Sequence, residues 1–293
     1  MSKQHQSFCE NLTARLFEII DTQASLLTWQ KGWDDKQGSA QLPIGHSNRY
    51  HGANIFNLLS AQILRGFTSN QWYTFNQIKE MGASVQKGAE SSPVYFWKSL
   101  EESKGTELNN QAQQDDDAQE MQAINSRFVF KLYHVFNVEQ TTLDPVTYPT
   151  IEFKQEAIQS LLAKHKVQIS HYGNAAHYNS VDDVITLPRP ENFMSDYNYN
   201  ATLLHELVHW TGSKPERKGR ACFKDYSNKI EARAEEELIA EIGSLLLATH
   251  FGLKGQIEGH ASYLDYWKKY LKPQAVMRAA SHAAKAFEFL IAE

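Results

Sequence analysis

Apolar positions in the second half of the chain recur at helical spacing, and three segments carry that pattern far enough to predict an element. The segment 200–212 sets Leu203, Leu204, Leu207 and Val208 along a buried stripe, with Asn200 as N-cap and Gly212 as the residue just past the end. The segment 231–247 passes from an acidic half to an apolar half and stops at Gly252, as a largely buried helix would. The segment 274–291 is alanine-rich, and Val276, Ala279, Ala280, Ala283, Phe287 and Leu290 suit close packing. A shorter helix is expected from Phe153 to about His165. Between these helices lie two strand-like runs, 167–170 before a Gly173-Asn174 turn and 184–187 before Pro188 and Pro190. A strand just upstream of the 200–212 helix can line a cleft and accept an extended peptide along its edge.

The first half reads differently. Two runs rich in aromatic and β-branched residues, 93–98 and 127–136, are predicted to pair as strands. The tract between them, 101–124, is polar and acidic without one aromatic residue, and is expected to be a flexible hairpin insert. Prolines from Pro145 to Pro149 interrupt the pattern, so the division falls into domains 1–145 and 146–293. The fold class is therefore α+β, and at 293 residues the chain is long enough for each domain to bury its own core.

Composition removes some functions. No apolar run approaches the length of a membrane span, and the segment MSKQHQSFCENLTARLF lacks the apolar core of a signal peptide, so a cytoplasmic protein without a membrane role is expected. Cys9 and Cys222 make no disulfide framework. A net charge of −5 argues against wrapping duplex DNA by charge alone, while leaving room for a local basic groove.

The sharpest chemistry lies in His205-Glu206-Leu207-Val208-His209. Positions four apart share a helix face, so both imidazoles can reach one ion, while Glu206 is placed to take a proton from water at that ion. A catalytic zinc needs a third protein ligand, and no histidine follows at the short spacing of the HExxHxxGxxH type. The acidic half of the next helix supplies carboxylates. Glu237 and Glu241 are one turn apart, so Glu237 is the expected ligand, Glu236 the alternative, and Glu241 the group that holds a ligand histidine from behind. The cofactor expected is Zn2+, with other divalent metals open. His282 is expected to be an ordinary surface or core histidine.

In the first domain aromatic residues interleave with cations, as a sequence-tolerant single-strand groove requires, although most aromatics in such a domain serve its core. Arg49, Tyr50, Trp72, Tyr73, Lys79, Lys87 and Trp97 are the candidate DNA contacts. The loop 45–52 and the turn Gln86-Lys87-Gly88 could touch phosphate or be turns only.

Several of these motifs together resemble the ArdC-type antirestriction proteins of conjugative plasmids, whose N-terminal half is also similar to part of plasmid-encoded primases. The similar stretches are 50–59 (YHGANIFNLL), 72–79 (WYTFNQIK), 82–88, 93–97 (PVYFW), 135–140, 183–188, 205–212 (HELVHWTG), 234–243 (AEEELIAEIG) and the helix around 279–289. The resemblance implies an N-terminal single-stranded-DNA-binding domain joined to a zincin-like, gluzincin-like metallopeptidase domain. It also implies a role in protecting incoming plasmid DNA from host restriction. His205 and His209 would be ligands, Glu206 the catalytic glutamate, and the Glu236-Glu237-Leu238 stretch would hold the third ligand. Gln86 stands where relatives often carry Arg, and the 101–124 insert is a second departure. Two further readings stay open: a DNA-directed protease acting on a host protein such as a restriction subunit, or an ordinary cytosolic metallopeptidase.

Overall fold

The computed structural model describes residues 3–21, 41–99, 128–146, 151–253 and 266–292. The insert 101–124, Trp29 and Trp33 lie outside the described residues, as does the side chain of Trp97. The first half opens with helix α1 (Lys3–Asp21) and helix α2 (Ala53–Leu64). It continues with β1 (Trp72–Thr74), the short α3 (Phe75–Glu80), β2 (Ser92–Ser99) and β3 (Phe128–Asn137). The strands form an antiparallel sheet in the order β1-β3-β2, so the two predicted runs do pair, Tyr95 opposite Leu132. Strand β2 is an edge, and α2 satisfies its outward backbone. Asn54 donates to the Tyr95 carbonyl at 2.7 Å and accepts from its N–H at 3.0 Å, and Asn57 donates to the Pro93 carbonyl at 2.7 Å. Side-chain amides one turn apart thus stand in for a neighbouring strand and protect an edge from unwanted pairing.

The second half contains α4 (Gln155–Lys164), β4 (Gln168–His171), β5 (His177–Asn179) and β6 (Val184–Leu187). Among the described residues there follow α5 (Asp196–Gly212), α6 (Ala221–Lys224), α7 (Ile230–Phe251) and α8 (Pro273–Ile291). The sheet order is β4-β6-β5, with β4 parallel and β5 antiparallel to β6. This corrects the peptide-edge expectation: β6, immediately upstream of α5, is central, and the edges belong to β4 and β5.

Helix α5 also starts one turn earlier than the pattern predicted. Ser195 is the N-cap, accepting from the Asn198 N–H at 3.2 Å, and Tyr197 extends the buried face. Asn200 is inside the helix, 1% exposed, and pairs with Gln155 through two amide hydrogen bonds of 2.8 and 3.0 Å. Helix α7 ends at Gly252 as expected, in the left-handed conformation.

The two halves share their main core. One continuous cluster runs from Phe8, Leu12 and Phe56 through Leu207, Leu238 and Leu246 to Ala283 and Leu290. Helix α8 is the strut: its alanines let α1 and α2 of the first half and α5 and α7 of the second pack against the same element. A small second cluster of Leu58, Ala61, Trp72, Val94 and Val135 sits between α2 and the first sheet. Small side chains on α8 explain the difference, because they permit close approach on more than one face.

Candidate metal centre

Helix α5 carries His205, Glu206 and His209, and α7 carries Glu236, Glu237 and Glu241. The helices meet tightly at Gly243, where a Cβ would lie 2.8 Å and 2.9 Å from the two Val208 methyls. That approach brings the carboxylates of α7 to the imidazoles of α5. His205 Nε2 and His209 Nε2 are 3.2 Å apart. Glu237 Oε2 lies 3.5 Å from the first and 3.7 Å from the second. Ligands held about 2.0–2.1 Å from one tetrahedral ion are separated by about 3.3 Å, so this triangle fits a small divalent cation. Among the described residues it is the one group of three such side chains that can converge on an ion, and His282 is not part of it.

The far ring nitrogens are held as well. His209 Nδ1 is 3.1 Å from Glu236 Oε1, and His205 Nδ1 is 3.4 Å from Glu241 Oε1. Glu237 thus faces the space between the imidazoles, Glu241 stands behind His205, and Glu236 stands behind His209 rather than at the ligand position. The acidic half of α7 is no solvated face: Glu236 and Glu241 are fully buried, and Glu235 is bound by the Arg278 guanidinium at 2.9 and 2.6 Å.

Arg220 was not foreseen. It is fully buried and donates to both Glu236 oxygens, at 2.9 and 2.5 Å, to Thr211 Oγ1 at 2.9 Å and to the Val208 carbonyl at 2.9 Å. Cys222 Sγ adds a contact to Glu236 Oε2 at 3.2 Å. Gly212 finds its reason here. It is the last residue of α5 rather than a residue past its end, and a Cβ on it would collide with the Arg220 guanidinium. Arg220 belongs to a polar stretch without periodicity, so the only sequence signal was an arginine closely preceding an acidic buried helix.

Electrostatics follow from this packing. Burial opposes charge on His205, but its hydrogen bond to Glu237 and the Glu241 charge prevail and raise its pKa. Burial is likewise outweighed at His209 by Glu236 and Glu237, which lift it to about 10. Burial would raise Glu236, yet Arg220 and His209 bring it down to about 2. Glu237 is also buried, and its bonds to His205 and His209 hold it well below the usual carboxylate range. A divalent ion entering the centre therefore replaces protons on the imidazoles. Glu206 sits beside His205 on α5, 8% exposed.

The candidate DNA contacts divide. Arg49, Lys79 and Lys87 are exposed. Trp72 is fully buried between α2 and the sheet, so it serves the core and offers no stacking face. Tyr50 and Tyr73 are half-buried, with hydroxyls donated at 3.2 Å to the Trp72 carbonyl and to Gln71. Gln86 donates to the Glu139 and Thr141 carbonyls at 3.3 and 3.1 Å, which makes it a latch for its turn. Exposed aromatics appear elsewhere, at Phe75, Phe96 and Tyr133.

Comparison with known proteins places this architecture. Residues 6–136 match the N-terminal domain of anti-restriction factor ArdC, and residues 156–282 match a zincin-like metallopeptidase family. The first half thus belongs to the ArdC N-terminal domain family and the second half to a zincin-like metallopeptidase family. Crystal structures of the antirestriction ArdC protein from plasmid R388, one metal-free and one Mn(II)-bound, align over 99% of this chain and 97% of theirs. Both have a TM-score of 0.70, with 26% and 27% identity. Two Escherichia coli proteins named DNA primase TraC are 32% identical over 100% and 97% of the chain, which spans only 28% and 20% of their length. The uncharacterized protein y4eC of Sinorhizobium fredii is 27% identical over 97% of the chain and 91% of its own length. The ArdC fold thus joins an α+β N-terminal domain to a zincin-like domain. No helix among the described residues is long and apolar enough to cross a membrane.

Proposed function

We propose that this protein binds single-stranded DNA entering a cell by conjugation and shields it from host restriction in the cytoplasm. Its second half carries a zinc centre competent for peptide hydrolysis. The observation that carries the reading is the union in one chain of the ArdC N-terminal domain with a zincin-like domain whose donor set converges. His205, His209 and Glu237 would hold the ion. When bound, the metal supplies a Lewis acid that polarises a peptide carbonyl and lets water lose a proton near neutral pH. Glu206 takes that proton as general base and returns it to the departing amine. Glu236, fixed by Arg220, and Glu241 keep the two imidazoles aimed.

The surface of the first half supports DNA binding by stacking rather than by long-range charge. Phe96 and Tyr133 lie on adjacent strands with ring centroids 5.6 Å apart, and Lys131 is directly opposite Phe96 in the register. Exposed aromatic faces beside a cation suit unpaired bases, each stacked base contributing about 1–3 kcal/mol. In competition assays with the whole chain, single strands should displace blunt duplex, and Phe96→Ala or Tyr133→Ala should weaken single-strand binding by about 1–3 kcal/mol. Equal or tighter binding to duplex refutes the DNA half of the reading. Glu206 beside two histidines also favours a second reading, a DNA-directed protease acting on a host protein.

A further inference from the structure

We propose that Tyr226 sets how Glu237 presents itself to the metal, restricting that carboxylate to a single donor oxygen. The inference rests on the metal reading above and deepens it. The two oxygens of Glu237 face different partners. Oε2 is turned toward His205 Nε2 and His209 Nε2, at 3.5 and 3.7 Å. Oε1 accepts the Tyr226 hydroxyl. A carboxylate with one oxygen engaged by a strong donor offers the other as a one-point ligand, which suits a four-coordinate ion with a position left open. A carboxylate with both oxygens free binds by two points, as in sites for larger ions with more ligands.

Tyr226 is built to hold that position. It lies on the turn between α6 and α7, where the Asn228 and Lys229 N–H groups both donate to the Asp225 carbonyl at 3.0 Å. The Tyr226 N–H donates to the Phe223 carbonyl at 3.3 Å. Its ring meets the His209 ring edge to face at 6.2 Å between centroids, and the Arg233 guanidinium lies over it at 5.0 Å. Ring and backbone are therefore fixed by contacts that do not involve the hydroxyl. Tyr226→Phe removes one hydrogen bond to Glu237 and keeps those contacts, so Tyr226 acts as a positioning residue whose effect runs through Glu237.

The test uses the full chain and reads the metal rather than activity. Zinc affinity is measured by competition with a chelator, and the coordination of Co(II) in the same site by its visible absorption. Tyr226→Phe should loosen zinc about 10–100-fold. Its Co(II) spectrum should move from the intense bands of a four-coordinate ion to the weaker bands of higher coordination, with the metal-free chain still folded. In a Glu237→Gln background the same change should have no further effect on affinity. Zinc affinity within about twofold of the wild type and an unchanged Co(II) spectrum would overturn the proposal. Should Tyr226→Phe also lower the metal-free melting temperature, the Glu237→Gln cycle decides: additive losses overturn the proposal, and non-additive losses support it. A wild-type chain that takes up no metal fails differently, because it removes the metal reading itself.

Discussion

At the residue scale, Glu206 separates two properties that the histidines combine. Purified protein should carry about one metal ion per chain, His205→Ala should lose it, and Glu206→Gln should keep it while abolishing peptide cleavage. Full metal content in His205→Ala would contradict the ligand assignment. The metal-free centre also has a pH signature. His209, raised from 6.5 to about 10, stabilises the fold fully below pH 6.5 and loses that contribution as pH climbs toward 10. Glu236, lowered from 4.5 to about 2, contributes above pH 4.5 and loses its share as pH falls toward 2. Metal-free protein should therefore melt at progressively lower temperature from pH 6.5 to 10, while its apparent metal affinity rises over the same range as protons leave the imidazoles. A melting temperature that rises with pH in that window would contradict the assignment of charge. The histidines and Glu206 were legible in the sequence because helix geometry alone sets their spacing. Arg220 and Tyr226 were not, because their approach to Glu236 and Glu237 is made by tertiary packing of a non-periodic segment. Arg220→Ala should cost the metal-free fold about 3–5 kcal/mol by leaving Glu236 charged and buried without the guanidinium that holds both its oxygens, measurable by denaturant unfolding.

At the scale of elements, the centre depends on how closely α5 and α7 approach. Gly243→Ala puts a methyl within 2.8 Å of a Val208 methyl, so the helices must separate. The expected cost is about 1–3 kcal/mol of stability, with metal affinity falling as well because Glu237 and Glu241 move away from the histidines. Unchanged metal affinity in a destabilised Gly243→Ala would show that the carboxylates are not held by this contact. Helical periods and β-rich runs foretold α5, α7, α8 and the β2-β3 pair, because burial on one face leaves a repeating mark. The pattern misjudged the start of α5, where Ser195 and Tyr197 extend the helix before its apolar stripe begins. It also missed the sheet order, because nothing in the run 184–187 tells a central strand from an edge. Trp72 shows the same limit on the candidate DNA surface: an aromatic residue beside cations reads alike whether it stacks on a base or fills a core.

At the scale of the whole molecule, the shared core around α8 ties the two halves together physically. Removing the second half would strip α1 and α2 of the surface they bury on α8, exposing Phe8, Leu12 and their neighbours. Truncation after residue 145 should therefore give a fragment that aggregates or melts well below the full chain in a thermal scan, so DNA binding is best tested in the intact protein. A fragment melting as high as the whole would contradict the shared-core description. Covering a DNA strand requires the surface of the first half and no hydrolysis, whereas cutting a restriction protein requires Glu206. The direct test is a conjugation assay into a restricting host, comparing transfer protected by the wild-type protein with transfer protected by Glu206→Gln, at matched metal content and DNA affinity. Protection should survive the substitution. Its loss, with metal and DNA binding intact, would contradict shielding and make proteolysis the mechanism.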